Sequence, residues 1–371
     1  MCFQCFFIPL HTLIEVRKVK VLFDHQIFCF RYGGASKYFA MLLNALPNST
    51  WDTTSIMAMN EYVRSKHLFP SYKTYFKGQA LLSDYLNRPY TNYRLAKGDY
   101  DVFHQTNFGT YCLKSLGNKP MVTTYHDSNM STYDAHPEIV ERQRASLARA
   151  DAVICVSHNT KSDMLNLFDL DEHKVHVVYH GIEIPDMSVL NPQRLFDYPY
   201  ILYVGRRSAY KNFARLARAF AVIHEKYPEI HLVCTSQSFS NDELMLFRQL
   251  RIISVVHSIA ADELTMQRLY RDALLFVFPS LYEGFGMPIL EAWSCNCPVV
   301  LSDASCFPEI AGDAASYFKA DDIDDMVKSI LNVVNSDELM RTLVERGCAR
   351  VRQFSWETTA EKHLRLYETL I

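Results

Sequence analysis

The run Pro279-Ser280-Leu281-Tyr282-Glu283-Gly284-Phe285-Gly286-Met287-Pro288-Ile289-Leu290-Glu291-Ala292 places one carboxylate before a glycine-rich loop and a second inside the helix that follows it. Gly284 and Gly286 carry no Cβ, so the backbone can approach a ligand there and turn successive N–H groups toward it. Pro288 suits a first helical position, where its missing N–H costs nothing. The helix it starts aims its positive end back at the loop, which offers an anionic diphosphate both donors and a favourable dipole. Phosphate would repel Glu283 and Glu291, so these are left to accept hydrogen bonds from neutral hydroxyls. Amides for phosphate beside carboxylates for hydroxyls describe a nucleoside diphosphate sugar, with one acid for the sugar ring and one for the ribose. Taken singly, Glu291 reads as a first-turn glutamate that favours the helix dipole, and Glu283 as a solvated loop residue. The whole stretch together carries the reading.

Other segments offer complementary chemistry. In Gly205-Arg206-Arg207-Ser208-Ala209-Tyr210-Lys211-Asn212, cations lie between a predicted strand and a predicted helix, where Arg206 and Lys211 can neutralise a departing diphosphate. Gly33-Gly34 is not a dinucleotide fingerprint, but as a tight turn it can bring the Gly34 amide to a phosphate. His126, followed by Asp127, closes a predicted strand; it can donate to a sugar hydroxyl or to an oxygen that gains charge, with Asp127 as its orienting partner. His104 and His180 share that position at strand ends with less support. The triplets Asp99-Tyr100-Asp101 and Asp169-Leu170-Asp171 read as polar turn residues, and no essential metal is expected.

What must position these groups is an alternation of strand and helix patterns from Lys18 onward, the signature of parallel sheets covered on both faces. Continuous apolar or β-branched runs predict strands at Val19–Phe23, Val102–His104, Met121–Tyr125, Ala152–Val156 and Val175–Tyr179. A second series follows at Tyr200–Val204, Ile230–Thr235, Leu274–Phe278 and Pro298–Ser302. Phe39, Leu42, Leu43 and Leu46 recur at helical spacing, as do Phe213, Leu216, Ala217, Phe220 and Ile223 after Asn212, expected as an N-cap. The resulting division is an N-terminal extension over 1–17, a first domain over 18–184, a linker over 185–198, a second domain over 199–355, and a last amphipathic helix over 356–371. Ligands of open α/β sheets sit beyond the carboxyl ends of the strands, so the site is expected in the cleft between the domains.

Composition sets the bounds. A chain of 371 residues, 49% hydrophobic and 21% charged, has material for two cores, and its net charge of −3 gives no bulk attraction to nucleic acid or to an anionic surface. The ten cysteines are scattered without zinc spacing and read as reduced thiols of a cytoplasmic protein. The apolar start, residues 1–17, lacks a basic leader region and is too short to span a bilayer.

With these residues in hand, the chain resembles a family 4 (group 1) retaining glycosyltransferase of GT-B architecture, from about Lys18 to the C-terminus and most strongly from Leu264 to Phe318. The similarity rests on the Pro279–Ala292 segment with its paired glutamates, on Leu269-Tyr270-Arg271-Asp272-Ala273, Cys297-Pro298-Val299-Val300, Tyr32-Gly33-Gly34-Ala35-Ser36-Lys37-Tyr38-Phe39, Thr124-Tyr125-His126-Asp127 and Val153-Ile154-Cys155-Val156-Ser157-His158-Asn159-Thr160, and on Pro308 to Ala315. The fold implied is α/β, two Rossmann-like doubly wound parallel-sheet domains facing a cleft, with the C-terminal helix crossing back to the first.

The resemblance implies that Arg206 and Lys211 bind the donor diphosphate. It likewise gives the donor-sugar hydroxyls to Glu283 with the amides of Phe285, Gly286 and Met287 nearby, the ribose to Glu291, an approach to the phosphates to Gly34, and a place facing the sugar near the reacting carbon to His126. The implied reaction is metal-free transfer of a hexosyl group with retention, from a nucleoside diphosphate sugar to a saccharide or lipid-linked acceptor in surface polysaccharide synthesis. No cofactor beyond that co-substrate and no nucleic acid is implied; peripheral contact at the inner face of a membrane is left open. Ala35 and Lys37 depart from the usual first-loop pattern, in which an isoleucine and an arginine follow the glycine pair. Rival readings on the same architecture are a phosphorylase or epimerase, and a partner subunit without catalysis.

Overall fold

The computed structural model describes residues 19–129 and 136–371. The proposed extension over 1–17 lies outside the described residues. Among the described residues twelve strands form two six-stranded sheets in which every pairing is parallel. The first contains β1 (Val21–Phe23), β2 (Trp51–Thr53), β3 (Val102–Gln105), β4 (Met121–Tyr125), β5 (Ala152–Cys155) and β6 (Val175–Val177), in the order β2-β1-β3-β4-β5-β6. The second contains β7 (Tyr200–Tyr203), β8 (His231–Thr235), β9 (Val256–Ile259), β10 (Leu275–Phe278), β11 (Val299–Ser302) and β12 (Ser316–Phe318), in the order β12-β11-β10-β7-β8-β9. The order reverses between β1 and β3 and again between β7 and β10, which makes the crevices beyond these strand pairs the natural ligand positions.

The central strands are apolar on both faces because helices cover both. The helix Phe213–Lys226 buries Phe213, Leu216, Ala217, Phe220 and Ile223. Each large side chain there contributes about 1.5–3 kcal/mol. Asn212 does not cap this helix with its side chain. It adopts a left-handed conformation (φ 58°) and donates its amide to the Ala320 carbonyl at 2.6 Å, which turns the chain from the cation loop into the helix. The three strands absent from the sequence reading, β2, β9 and β12, are short or carry polar residues, and all three are edge strands.

The last helix, Trp356–Glu368, packs on Gly34–Ala45 of the first domain, and Trp356, Ala360, Leu366 and Tyr367 join that domain's core. Here the C-terminus crosses back. The two links between the domains run side by side: Ile182 donates its N–H to the Phe354 carbonyl at 3.2 Å, and Thr359 its hydroxyl to the Tyr179 carbonyl at 2.9 Å. A Cβ on Gly181 would come within 2.3 Å of the Trp356 nitrogen, so only glycine allows the two links to pass so closely.

Asp99 pairs with Arg94 and Lys97, Asp101 accepts the Lys20 N–H, and Asp171 caps a single turn, so these carboxylates serve local structure. Among the described residues there is no group of three or more His, Cys, Asp or Glu placed to hold a metal, and no helix is long and apolar enough to cross a membrane. The eight cysteines among the described residues are free thiols, all but Cys348 buried.

Candidate active site

The loops that leave β7 and β10 rise side by side from the switch point of the second sheet and are tied together, Leu281 donating its N–H to the Tyr210 carbonyl at 2.7 Å. Across them Lys211 forms an ion pair with Glu283, whose Oε1 also accepts from Ser280 at 2.7 Å. The Ser305 hydroxyl braces the backbone of Glu283, donating to its carbonyl at 2.6 Å and accepting its N–H at 3.2 Å. Both charged side chains remain in reach of solvent, 15% and 12% exposed. Arg206, on the same loop, is exposed. Its neighbour Arg207 turns inward instead, pairing with Glu243 at 2.6 Å and holding the carbonyls of Gln237 and Ser238. Arg207 is thus a brace for the loop after β8, while Arg206 keeps its charge at the surface.

Gly286 adopts φ 87° and starts the helix Met287–Ser294, so Pro288 occupies the second helical position rather than the first. The argument from its missing N–H holds there as well. Glu291 lies one turn into this helix and is gripped from two sides. Lys37, on the first domain's Gly34–Ala45 helix, donates to its Oε1 at 2.7 Å, and the Tyr270 hydroxyl donates to Oε2 at 3.2 Å. Burial alone would lower the Lys37 pKa, but the Glu291 carboxylate outweighs it and holds the ammonium above its ordinary value. Lys37, Tyr62, Val204, Tyr270, Met287 and Glu291 line an interdomain cavity of about 500 Å³.

Gly284 needs its missing Cβ for another reason than ligand approach. A Cβ there would stand 1.8 Å from the His126 carbonyl oxygen, and the Gly284 carbonyl accepts the hydroxyls of Ser157 at 2.7 Å and Thr160 at 2.9 Å. Its role in this conformation is close packing of the donor loop on the first domain. Two further links complete the seam: the Ser128 N–H donates to the Tyr282 hydroxyl at 3.1 Å, and Glu309 caps the helix His158–Leu167 through the N–H groups of His158 and Asn159 at 2.7 and 3.0 Å. The sequence shows these seam residues within its matching segments but not the contacts they make, although Ser157 with Thr160 has the spacing of an N-cap motif. We expect Gly284→Ala to cost most of the activity and to lower the melting temperature, because backbone meets backbone and neither side can yield cheaply; a fully active, equally stable variant would contradict the close seam.

His126 sits beneath this loop, its ring edge-on to Tyr38 at 4.9 Å, with Nε2 buried and unpartnered among the described residues. Burial lowers its pKa to about 3, so the imidazole is neutral at ordinary pH. The expected pairing with Asp127 is not formed; that carboxylate accepts the Asn129 N–H at 3.0 Å, and its own pKa is raised by burial. His180 is buried as well, its ring stacked on Phe285 at 4.5 Å and 11°, so it supports the loop from below. Gly34 is exposed at the start of its helix, with nothing within 4 Å of where a Cβ would stand, and the turn Gln26–Cys29 separates it from β1.

Two family models match the chain, "Glycosyltransferase Family 4" over residues 32–186 and "Glycosyl transferases group 1" over 191–350. The O-antigen chain mannosyltransferase B of Escherichia coli is 30% identical over 292 residues, which cover 73% of this chain and 75% of that one. The chain belongs to glycosyltransferase family 4, group 1.

Among solved structures, a sucrose-phosphate synthase of Thermosynechococcus elongatus superposes with TM-score 0.74 at 20% identity, covering 95% of this chain and 99% of the other. HepE of Anabaena, crystallised with UDP and glucose, superposes with TM-score 0.73 at 16% identity over 95% of this chain and all of its own. At those identities the likeness shows the GT-B fold. In this glycosyltransferase the two models meet at the linker, and the side chains singled out from sequence fall on both sides of it: Gly34 and His126 in the first matched region, Arg206, Lys211, Glu283 and Glu291 in the second.

Proposed function

We propose that this glycosyltransferase moves a hexosyl group, with retention and without a metal, from a nucleoside diphosphate sugar to a saccharide or lipid-linked acceptor in surface polysaccharide synthesis. The observation that carries the reading is the placement of Lys211 and Glu283 on loops joined at the second sheet's switch point, with the helix start at Met287 between them and Glu291. Lys211, with Arg206 at the rim, compensates the diphosphate, together with the amides of Phe285, Gly286 and Met287; Glu283 receives sugar hydroxyls and Glu291 the ribose diol. His126 Nε2 faces the sugar as a neutral hydrogen-bonding group. As the C1–O bond to phosphate breaks, the acceptor oxygen bonds to C1 on the same face and its proton passes to the departing phosphate oxygen. The rate enhancement is then chiefly electrostatic. The curated relative named above favours mannose as the hexose.

A thermal-shift screen of UDP, GDP, ADP and their sugars tests the donor class. One of them is expected to stabilise the protein, and a folded enzyme that responds to none would end the reading. With the best binder, Glu291→Ala is expected to weaken the free nucleotide, whereas Glu283→Ala weakens only the sugar-bearing donor; equal losses on free nucleotide would contradict this division. Gly34→Ala meets no atom in the fold, so any fall in donor affinity in that variant reports the ligand's own approach.

A further inference from the structure

The helix Gln79–Lys97 is built inside out. Its inward stripe is polar: Gln79, Ser83, Asn87, Thr91 and Arg94 are buried, with only Leu95 apolar among them. Each of these polar groups finds a partner, Gln79 from the Phe76 N–H at 3.1 Å, Asn87 from the Ile56 N–H at 2.9 Å, Thr91 with His25 at 2.9 Å, and Arg94 on Asp52 at 2.8 Å. Asn87 also donates to the Ser83 carbonyl at 2.7 Å. The outward stripe is apolar: Leu81, Leu82, Tyr85, Leu86 and Tyr93 are exposed, and Phe76 extends the row ahead of the helix. Leu81 is 78% and Tyr85 69% exposed, values that a soluble helix reserves for charged residues.

Charge identifies the occupant. Lys73 and Lys77 stand exposed beside the apolar row, while Asp84, the one carboxylate between residues 73 and 97, is held by His25 at 3.0 Å and Arg88 at 2.6 Å, and Lys97 is paired with Asp99 at 2.9 Å. The chain as a whole carries −3, so this cationic rim is local. A second copy of the same face would set cation against cation. An anionic bilayer complements the cations and accepts leucines and tyrosines at the depth of its headgroups. The helix stands on the turns Gln26–Cys29 and Thr110–Cys112, which leave β1 and β3 at their carboxyl ends, so the face lies on the cleft-side rim of the first domain.

We propose that the apolar face of Gln79–Lys97 docks the enzyme on an anionic membrane surface, its helix lying in the headgroup plane. This goes beyond the transfer reaction; it rests on the proposed function only in bringing the cleft to a lipid-linked acceptor. Vesicle flotation of the full chain without donor tests it, comparing phosphatidylcholine alone with an equal mixture of phosphatidylcholine and phosphatidylglycerol. Binding is expected to the mixture and to fall with salt. Tyr85→Glu combined with Leu86→Glu should abolish it, and Lys77→Glu should weaken it by about fivefold for each unit of charge lost. In both variants the melting temperature and the nucleotide-induced thermal shift should stay as in the wild type, which separates this result from the donor reading. Equal flotation of wild type and the double variant, or no flotation of either, overturns the proposal. So does a wild-type dimer that Tyr85→Glu with Leu86→Glu dissolves, since a second copy would then own the face.

Discussion

Lys211→Ala is expected to lower turnover by about 10²- to 10³-fold while the protein stays folded. The lysine lies on the loop that leaves β7, its ammonium 5.4 Å from the Phe278 ring centroid and paired with Glu283. A positive charge at this place gains most when the diphosphate takes up charge in the transition state, so its loss is expected in kcat more than in KM. Stability suffers far less. Glu283, 12% exposed, keeps the Ser280 hydroxyl, so the lost partner costs about 1–3 kcal/mol, short of unfolding the chain. Steady-state kinetics beside a melting curve check both halves, and unchanged turnover in the folded variant would remove Lys211 from the mechanism. Lys211→Arg should recover part of the rate, since the charge returns with a different reach.

The second large effect is acid sensitivity. His126, His180 and His363 gather around Tyr38, whose hydroxyl meets His363 Nε2 at 2.8 Å, and His104 stacks on His363 at 6.2 Å. Burial depresses all four, His126 to about 3 and His363 to about 4, with His104 and His180 also well below the usual range. A depressed folded value means that the unfolded chain takes up the proton first, near its ordinary pKa of 6.5. Stability is therefore complete above that value and is lost as pH falls from there toward 4 and then 3. Each histidine adds about 1.4 kcal/mol per pH unit in its window. Buried Asp24 acts in the opposite sense, because burial raises its carboxyl from 3.8 to about 6 and so stabilises the fold as pH falls between those values. Asp127, raised by burial as well, acts in the same sense as Asp24, and these two carboxyls against four histidines leave a net loss. Urea midpoints at about pH 7 and about pH 5 should differ clearly; coincident midpoints would show that the cluster admits protons without unfolding.

The parts legible in the sequence are those whose meaning is local. Central strands such as Met121–Tyr125 and Leu275–Phe278 announce themselves as unbroken apolar runs, and the loop from Glu283 to Glu291 carries its own chemistry within one short segment. The short, mixed strands Trp51–Thr53 and Ser316–Phe318 have no such run, because a strand at the border of a sheet is only partly covered. Partnerships across the cleft are invisible for a different reason. Lys37 meets Glu291 from 254 positions away, and only the folded domains show that a residue standing apart from the family pattern occupies the carboxylate assigned to ribose. The sequence marks Gly284 as a place for backbone to approach a ligand, and the fold adds a neighbour that it cannot show, the His126 carbonyl, which a Cβ there would meet. The helix Gln79–Lys97 has a helical period with its polarity reversed, so a search for an inward apolar stripe passes over it.

The paired crossing at Gly181 and Trp356 constrains how the halves can part. Two covalent connections pinned to each other at one spot behave like the spine of a book: the covers swing about it but do not slide or pull away. Departure of product should therefore follow a pivot whose axis runs through Ile182 and Phe354, opening widest at the edge farthest from that spine. Distances between paired spin labels, one on each half, would reveal such an arc as a change that grows with separation from the crossing.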